Sequence, residues 1–442
     1  MPKMTENGVD PGKPLFLTPY IKAGNVTQGR KLAEISSLEG SSLTMYSGFL
    51  TVNEKYQSNM FFWFIPAQQN PQDAPLLLWL QGGPGGTSLF GLFVENGPFG
   101  VDKNLKLVPR EFSWTSKFSM LYIDNPVGTG FSFTKSDEGY ATNQAEVAEN
   151  LYSALCQFFT LFPDSRNVDF YVTGESYAGK YIPAIAHRIH KQNPKVINNF
   201  KGVAIGDGFT DPPTMLPQYA DFMFSIGSLD TNQCDYFKKQ CVKAAWMMDH
   251  GRWVDALKIW DLLLNGDLSA VPSYYTNVTG CTDYYNYMRC QVPKELDYFS
   301  AYVSLPQVRK AIHVGKLPFN SGEKVEKFLM KDMLQSVKPW LAETMDNYKV
   351  MLYTGQLDVI VALPLTEAML QTVPWAGLDQ YQHTKRSVWR VQPGDTEVAG
   401  YVRNVKNFYQ VLVRGGGHIL PHDQPERSFD MIDRFINDRP FS

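Results

Sequence analysis

Short and nearly continuous apolar runs place the strongest constraint on how this chain folds. Four of them, "APLLLWL", "SMLYID", "DFYVTG" and "GVAIGDG", fall within residues 74–208, and "VMLY" and "QVLV" follow much later. Such runs are typical of strands buried on both faces of a parallel sheet. Between them, apolar residues recur at helical spacing from Val147 to Phe162 and from Ile182 to Ile189. The alternation predicts an α/β fold, preceded by an antiparallel pair of strands in "TMYSGFLTV" and "MFFWFIPA".

The alternation stops near Asp211 and resumes late in the chain. The segment between carries clustered cysteines, many Tyr and Met residues and helical patterns such as "WVDALKIWDLLLNG", without a buried-strand signal. A chain of 442 residues is long enough for a large core with an insertion. We therefore predict a core of residues 14–211 and 306–442, a helical insertion of residues 212–305, and a flexible N-terminus of residues 1–13.

Four of the five cysteines are clustered in the predicted insertion, whereas Cys156 stands alone in an apolar helical pattern. The clustered cysteines are Cys234, Cys241, Cys281 and Cys290. Without CxxC spacing they favour two disulfides, with three possible connectivities, over zinc ligation or free thiols.

Two N-glycosylation sequons begin at Asn25 and Asn277. With the cysteines, they indicate an extracellular or lysosomal chain. The polar start "MPKMTENGVDPGKP" has no signal-peptide hydrophobic region, so we expect the leader to lie outside the printed sequence.

Charge and hydropathy exclude two classes of partner. The net charge of −3 and the absence of a Lys/Arg run argue against nucleic-acid binding. No apolar stretch reaches the roughly 18 residues of a membrane-spanning helix, so we expect no membrane insertion.

The segment "DFYVTGESYAGKYIPAI" places Ser176 between a predicted strand and a predicted helix. This is the context of a nucleophile elbow, in which small residues near the serine avoid backbone clashes. Ala178 stands where the stricter pattern has glycine and is small enough. The alternative is an ordinary N-capping serine.

A nucleophilic serine needs a base, and the base needs a carboxylate that fixes its tautomer. Asp358 follows the strand "VMLY" and His418 follows "QVLV", in the chain order of an α/β-hydrolase. His422 is the main rival base but lies one turn further from the strand. His187 and His190, three apart on one helix, are expected at the surface rather than on a metal.

The glycine-rich "QGGPGGTSLFG" follows the first buried strand. Counting from Gly82, a phosphate-binding P-loop would need a sixth-position glycine and then lysine, but Thr87 and Ser88 stand there. In a serine hydrolase such a loop supplies one N–H of the oxyanion hole, and the residue after the nucleophile, Tyr177, supplies the other. The alternative is a tight turn without a catalytic role.

Five segments together resemble the serine carboxypeptidases, particularly the vitellogenic carboxypeptidase-like branch. They are "WLQGGPGGTSLFGLFVENGP", "DNPVGTGFS", "TGESYAGKYIP", "GQLD" and "GGGHILPHDQP", and the resemblance runs from about Pro14 to about residue 437. It implies an α/β-hydrolase fold with a helical insertion, and a glycosylated lysosomal or secreted exopeptidase that is active at acid pH. By position it implies Ser176 as nucleophile, Asp358 as orienting carboxylate and His418 as base, with Gly83 and Tyr177 as oxyanion donors.

The resemblance also implies a site for the free C-terminal carboxylate of the substrate. Its members would be Gln81, the Gly82 backbone, Glu95 and Glu175. Two ionised glutamates would repel a carboxylate, whereas glutamates that share a proton can donate hydrogen bonds to it. Binding would then weaken as the pH rises. Without the resemblance, we would interpret Glu95 as a solvated loop acid and Glu175 as a residue beside the serine with no functional role.

Two positions depart from the family pattern. The family usually has asparagine at the position of Gln81, so the amide is displaced by one methylene. It usually has a disulfide-bonded cysteine at the position of Gly86, so we expect that bridge to be lost.

The sequence therefore predicts a serine-type carboxypeptidase acting on peptides or proteins with a free C-terminus through an acyl-enzyme. No metal or organic cofactor is implied. We expect burial to lower the pKa of His418, which would keep it neutral at acid pH. An acyltransferase and a catalytically silent binding or storage homologue are the alternatives, and a general lipase or esterase would leave both glutamates without a role. The oligomeric state stays open between monomer and homodimer.

Overall fold

The predicted buried strands are present in the computed structural model, which describes residues 9–35, 38–192 and 196–441. This part of the chain forms twelve strands, β1 to β12: Tyr46–Asn53, Ser58–Ile65, Leu76–Leu80, Phe99–Val101, Leu107–Pro109, Ser119–Ile123, Phe170–Glu175, Phe200–Gly206, Lys349–Gly355, Ser387–Trp389, Gly400–Val405 and Phe408–Val413.

The described residues also form eighteen α-helices, α1 to α18: Thr18–Lys22, Val26–Ala33, Ser88–Phe90, Gln144–Leu161, Ala178–His190, Pro212–Met215, Tyr219–Ser225, Thr231–Asp249, Trp253–Trp260, Tyr274–Thr279, Tyr298–Tyr302, Pro306–Ala311, Glu323–Leu329, Lys338–Asn347, Leu363–Leu370, Leu378–His383, Leu420–Asp423 and Pro425–Ile436. Short 3₁₀ and π turns adjoin several of them. Among the described helices, none is both long enough and apolar enough to cross a membrane.

The chain divides into two compact units. The first comprises Met1–Gly174, Ala184–Gly202 and Pro293–Phe328, and the second comprises Glu175–Pro183, Val203–Val292 and Leu329–Ser442. The boundaries of the predicted core and the predicted insertion differ from the boundaries of these two units. The division into core and insertion therefore stays a prediction. Most of the N-terminus that we predicted to be flexible, residues 1–8, lies outside the described residues.

In the first unit, the strand order is β1-β2-β6-β3-β7. β1 and β2 pair antiparallel, as predicted, whereas β3 runs parallel to both β6 and β7. Every residue of β3 is buried, which explains its unbroken apolar sequence. Phe158 of α4 and Phe162, the residue after the helix, pack on the sheet of this unit, with their rings 5.1 and 5.0 Å from the ring of Phe64.

In the second unit, β8 is followed in the sheet by β9, β12, β11 and β10. β9 and β12 are parallel, and β11 pairs antiparallel with both β12 and β10. Helix α18 buries Met431, Ile432 and Phe435. All residues from 212 to 305 are described, and they form helices and turns without a strand.

The prediction of two disulfides is wrong in part. Cys281 and Cys290 are bonded, but Cys234 and Cys241 are free and buried. Both free cysteines lie on α8, seven residues apart. At 1.5 Å per residue their Cα atoms are about 10 Å apart, beyond the roughly 7 Å that a disulfide can span.

Gly179, in the first turn of α5, allows close packing against the segment after β8. A Cβ atom placed on it would lie 2.6 Å from the Phe209 nitrogen and 2.7 Å from the Gly208 carbonyl carbon. We therefore expect Gly179→Ala to lower the free energy of unfolding by about 1–3 kcal/mol, because backbone must move to admit the methyl group. Urea unfolding measures this. Gly394→Ala is the control, since a Cβ there meets nothing within 4 Å, and equal losses in the two variants would contradict the expectation.

Candidate active site

Ser176 occupies a strained turn between β7 and α5. Its φ of +62° lies in the left-handed region, which is costly for a residue other than glycine and is characteristic of functional turns. The Ser176 N–H donates to the Gly206 carbonyl, and the Ser176 carbonyl accepts from Gly179 and Phe209, each at 2.9 Å. The turn therefore has the strand-to-helix geometry of a nucleophile elbow.

Asp358 and His418 meet in the loops that follow β9 and β12. The imidazole Nδ1 and the Asp358 Oδ2 are 2.8 Å apart, and both side chains are buried. The other carboxylate oxygen, Oδ1, accepts from the Val361 N–H at 3.2 Å. This arrangement fixes the imidazole tautomer, with the proton on Nδ1 and Nε2 left to act as a base.

The expectation of a lowered pKa for His418 is wrong. Burial does lower the pKa, but the charge and hydrogen bond of Asp358, with smaller contributions from Glu175 and Asp283, outweigh it and leave the pKa of His418 raised. The imidazole therefore holds its proton to a higher pH than an ordinary histidine does.

The loop closed by the Cys281–Cys290 disulfide contacts His418 directly. The Tyr285 ring stacks on the imidazole with 5.2 Å between ring centroids and 15° between planes. The Tyr285 carbonyl also accepts the His418 backbone N–H at 2.6 Å. Sequence reasoning missed Tyr285, because only the cysteine spacing hinted at a closed loop here.

Asp423 ties the same loop to the residue before His418. Its carboxylate accepts from Arg289 Nη1 at 3.0 Å, from Asn286 Nδ2 at 2.9 Å and from the Gly417 N–H at 2.8 Å. Arg289 also pairs with the buried Asp283 at 3.1 Å. The loop therefore holds the His418 segment by both backbone and side-chain contacts.

Asp207, which the sequence analysis did not select, lies beside the Asp358–His418 pair. It follows β8 with a φ of +44°, and its Oδ1 accepts from the Gly355 N–H at 2.9 Å. One side-chain atom each from Asp207, Asp358 and His418 lie within 4.8 Å of one another, the one such trio of potential ligands in the described residues. We interpret the trio as a hydrogen-bonded chain rather than a metal site, because Asp358 and His418 already bond to each other. The sequence signal for Asp207 is an acid directly after a predicted buried strand, "GVAIGDG".

His418 bonds to Asp358, and the other histidines that were weighed lie on helices α5 and α17. His422 is half-buried in α17, and His187 and His190 are half-buried on α5. The pairing with Asp358 thus distinguishes His418 from its rival.

In the first unit, the glycine-rich loop is a compact turn. Gly83 has a φ of +112°, and a Cβ atom on it would lie 2.7 Å from the Gly86 nitrogen and 2.8 Å from the Gly85 nitrogen. Only glycine fits here, and the turn is closed by the Gly86 N–H, which donates to the Gly82 carbonyl at 2.9 Å.

Gln81 and Gly86, the two departures from the family pattern, lie against each other. The Gln81 Cγ would be 3.4 Å from a Cβ atom on Gly86, which is about van der Waals contact. The Gln81 Oε1 accepts from the Trp79 indole at 2.8 Å. The nearest atom to that Cβ is the Gly82 carbonyl oxygen at 2.9 Å, so backbone crowding and not Gln81 is what chiefly restricts position 86.

Glu95 and Glu175 are both buried, with 1% of each residue exposed. Glu95 ends the π turn Gly91–Glu95 and is not the solvated loop acid that the sequence alone suggested. Its charge acts on Arg110 and Tyr122 in the same unit. Gln81, Gly82, Gly83 and Glu95 belong to the first unit, and Glu175, Ser176 and Tyr177 to the second. The oxyanion and carboxylate-binding roles stay predictions.

Parallel strands flanked by helices, an elbow serine and an Asp–His pair after later strands define an α/β-hydrolase. A solved structure agrees with this class. The chain is similar in fold to Kex1(Δ)p, a prohormone-processing carboxypeptidase from Saccharomyces cerevisiae, with a TM-score of 0.76 and 24% sequence identity, over 90% of this chain and 92% of that chain.

The family is defined by sequence comparison. The serine carboxypeptidase family profile matches residues 37–438. The chain is 56% identical to the human "Probable serine carboxypeptidase CPVL" over 97% of this chain and 90% of that protein. It is 42% identical to the "Vitellogenic carboxypeptidase" of Aedes aegypti, over 96% and 90%. The chain belongs to the serine carboxypeptidase family, as the motifs predicted.

The disulfide-closed loop should control the placement of His418. We expect Cys281→Ser to lower kcat for hydrolysis of an N-blocked dipeptide by about tenfold, because a base displaced by a fraction of an ångström loses its alignment. The imidazole NMR signals of His418 should shift in the same variant. Cys156→Ser, which removes a free cysteine on α4, is the matched control. An unshifted imidazole in Cys281→Ser would contradict the positioning role of the loop.

Proposed function

We propose that this chain is a serine-type carboxypeptidase that releases residues one at a time from the free C-terminus of peptides or proteins. The observation that carries the proposal is the buried Asp358–His418 hydrogen bond, in a chain of this family that also has a serine in an elbow turn. A general hydrolase would need the same triad, so the carboxypeptidase assignment rests on the family and on the two buried glutamates.

The triad performs acyl transfer in two halves. Ser176 Oγ attacks the scissile carbonyl as its proton passes to His418 Nε2, and that proton then leaves with the amine of the released residue. Water attacks the acyl-enzyme, gives a proton to His418 and restores the Ser176 hydroxyl. In this proposal the Gly83 and Tyr177 amides stabilise the oxyanion, each contributing about 3 kcal/mol to the transition state.

Recognition of the substrate carboxylate is assigned in this proposal to Gln81, the Gly82 N–H, Glu95 and Glu175. The burial of both glutamates supports it, because a buried acid without a full charge can donate a hydrogen bond to a carboxylate. Such recognition weakens at higher pH, which favours activity in an acidic compartment.

We also propose that the protein passes through the secretory pathway to a lysosome or the cell exterior. The Cys281–Cys290 disulfide supports this, since disulfides persist in oxidising compartments. Both sequon asparagines, Asn25 and Asn277, are exposed and therefore accessible to glycosylation.

Hydrolysis of an N-blocked dipeptide, compared with its C-terminal amide at pH of about 5, tests the function. The free acid should be cleaved much faster than the amide, without any added acyl acceptor. Ser176→Ala should abolish both activities. Equal rates on acid and amide would overturn the carboxypeptidase assignment, a need for an added alcohol would indicate an acyltransferase, and an inactive oxidised protein would indicate a binding homologue.

Glu95→Ala should raise KM for the free acid far more than KM for the amide, because only the acid uses the carboxylate contact. The ratio of the two KM values is the measurement. Glu138→Ala, which changes an exposed acid of the same unit, serves as the control. A uniform rise for both substrates would count against the role of Glu95.

A further inference from the structure

We propose that Asp207 carries a proton and donates it in a hydrogen bond to the Asp358 carboxylate, and that it thereby sets the basicity of His418. Asp207 is a positioning residue in this proposal, since it acts through Asp358. The proposal deepens the proposed function and rests on the same triad.

The geometry leaves one Asp207 oxygen available for this bond. Oδ1 accepts from the Gly355 N–H at 2.9 Å, and the Asp207 N–H donates to the Tyr353 carbonyl at 2.8 Å. Oδ2 is buried and has no hydrogen-bond donor among the described residues. Asp358 and Asp207 are both fully buried, and their oxygens lie within 4.8 Å of each other.

Two buried carboxylates at this separation cannot both stay ionised without a cation. Among the described residues, no Lys or Arg forms an ion pair with either of them, and the only cationic partner of Asp358 is His418. A proton on Asp207 Oδ2 removes one charge and supplies the missing donor. Asp358 then remains the ionised member, because it accepts from His418 and from the Val361 N–H.

The groups that face Asp207 come from four elements. They are Glu175 at the end of β7, the Gly355 N–H at the end of β9, Asp358 in the following loop and His418 after β12. Burial first, then the negative charge of Asp358, raises the pKa of Asp207 well above its ordinary range, and Glu175 adds to this. The Gly355 N–H opposes the shift but is outweighed.

The proton has a direct consequence for catalysis. A hydrogen bond from Asp207 draws electron density from Asp358 and weakens its attraction for the imidazolium form of His418. The imidazole then loses its proton at a lower pH, which extends the working range of the base toward acid. Ionisation of Asp207 at higher pH reverses this and places two charges side by side.

Two substitutions distinguish the effect of the Asp207–Asp358 hydrogen bond from the effect of an ionisable proton on Asp207. Asp207→Asn retains an N–H donor that cannot ionise, so the acid limb of the kcat/KM profile should stay near that of the wild type. Asp207→Ala removes the donor, and the acid limb and the NMR titration of the His418 imidazole should both move upward by about one pH unit. Asp430→Asn, a buried aspartate bonded to Arg434 instead, is the matched control and should leave the imidazole titration in place.

Infrared spectroscopy and unfolding test the proton itself. The difference between the infrared spectra of the wild type and of Asp207→Asn near neutral pH should contain the carbonyl stretch of one protonated carboxyl, because other buried acids such as Asp124, whose pKa burial raises to about 7, contribute equally to both spectra. A raised folded-state pKa gives stability that is present below the unfolded pKa and is lost as pH rises through the folded one. The wild type should therefore lose more stability than Asp207→Asn between acid and alkaline pH.

An Asp207→Ala variant whose imidazole titrates as in the wild type would overturn the proposal, as would a difference spectrum between the wild type and Asp207→Asn that lacks the protonated-carboxyl band. If Asp207→Ala fails to fold, Asp207→Asn still decides through the infrared band. The NMR and infrared readouts need no substrate. A wild type that shows both signals but cleaves no peptide would defeat the proposed function and leave the proton assignment standing.

Discussion

Backbone contact between the serine turn and the end of β8 is the constraint on which the site depends. The Ser176 N–H and carbonyl bond to Gly206 and Phe209, so the two segments approach at hydrogen-bond distance. This approach requires glycine at Gly179, and the Tyr353 ring fills the space where a side chain of Gly206 would lie. The same contact accompanies the positive φ of Ser176, and Asp207, next after β8, lies close to Asp358 and His418.

Charge is the second constraint, because several acids act on one imidazole. Glu175, Asp283 and Asp358 all contribute to the raised pKa of His418, whereas burial opposes them. Arg289 neutralises Asp283, but among the described residues no Lys or Arg pairs with Asp358 or Asp207. The proton on Asp207 therefore neutralises one carboxylate in place of a Lys or Arg. The protonation state of His418 then depends on the whole group of acids and not on Asp358 alone.

The strands and the elbow could be predicted from the sequence because their signals are local. An unbroken apolar run such as β3 and a serine between strand and helix need no knowledge of tertiary contacts. The direction of the His418 pKa shift could not be predicted, since it depends on the competition between burial and Asp358. The pairing of the cysteines could not be predicted, because it depends on α8 being one continuous helix. The role of Asp207 could not be predicted either, because it depends on the tertiary contact between the end of β8 and the loop after β9.

The segment predicted as an insertion contributes to the chemistry as well as to the shape of the protein. Its disulfide-closed loop supplies the ring that stacks on His418 and the carbonyl that accepts the His418 N–H. A Cβ atom on Gly417 would lie 2.3 Å from the Tyr285 carbonyl oxygen, so the base and the loop touch without an intervening side chain. The orientation of the imidazole is thus fixed from two sides, by Asp358 through Nδ1 and by Tyr285 through the backbone and the ring face. A change in this loop would therefore change the alignment of the base, and hence kcat.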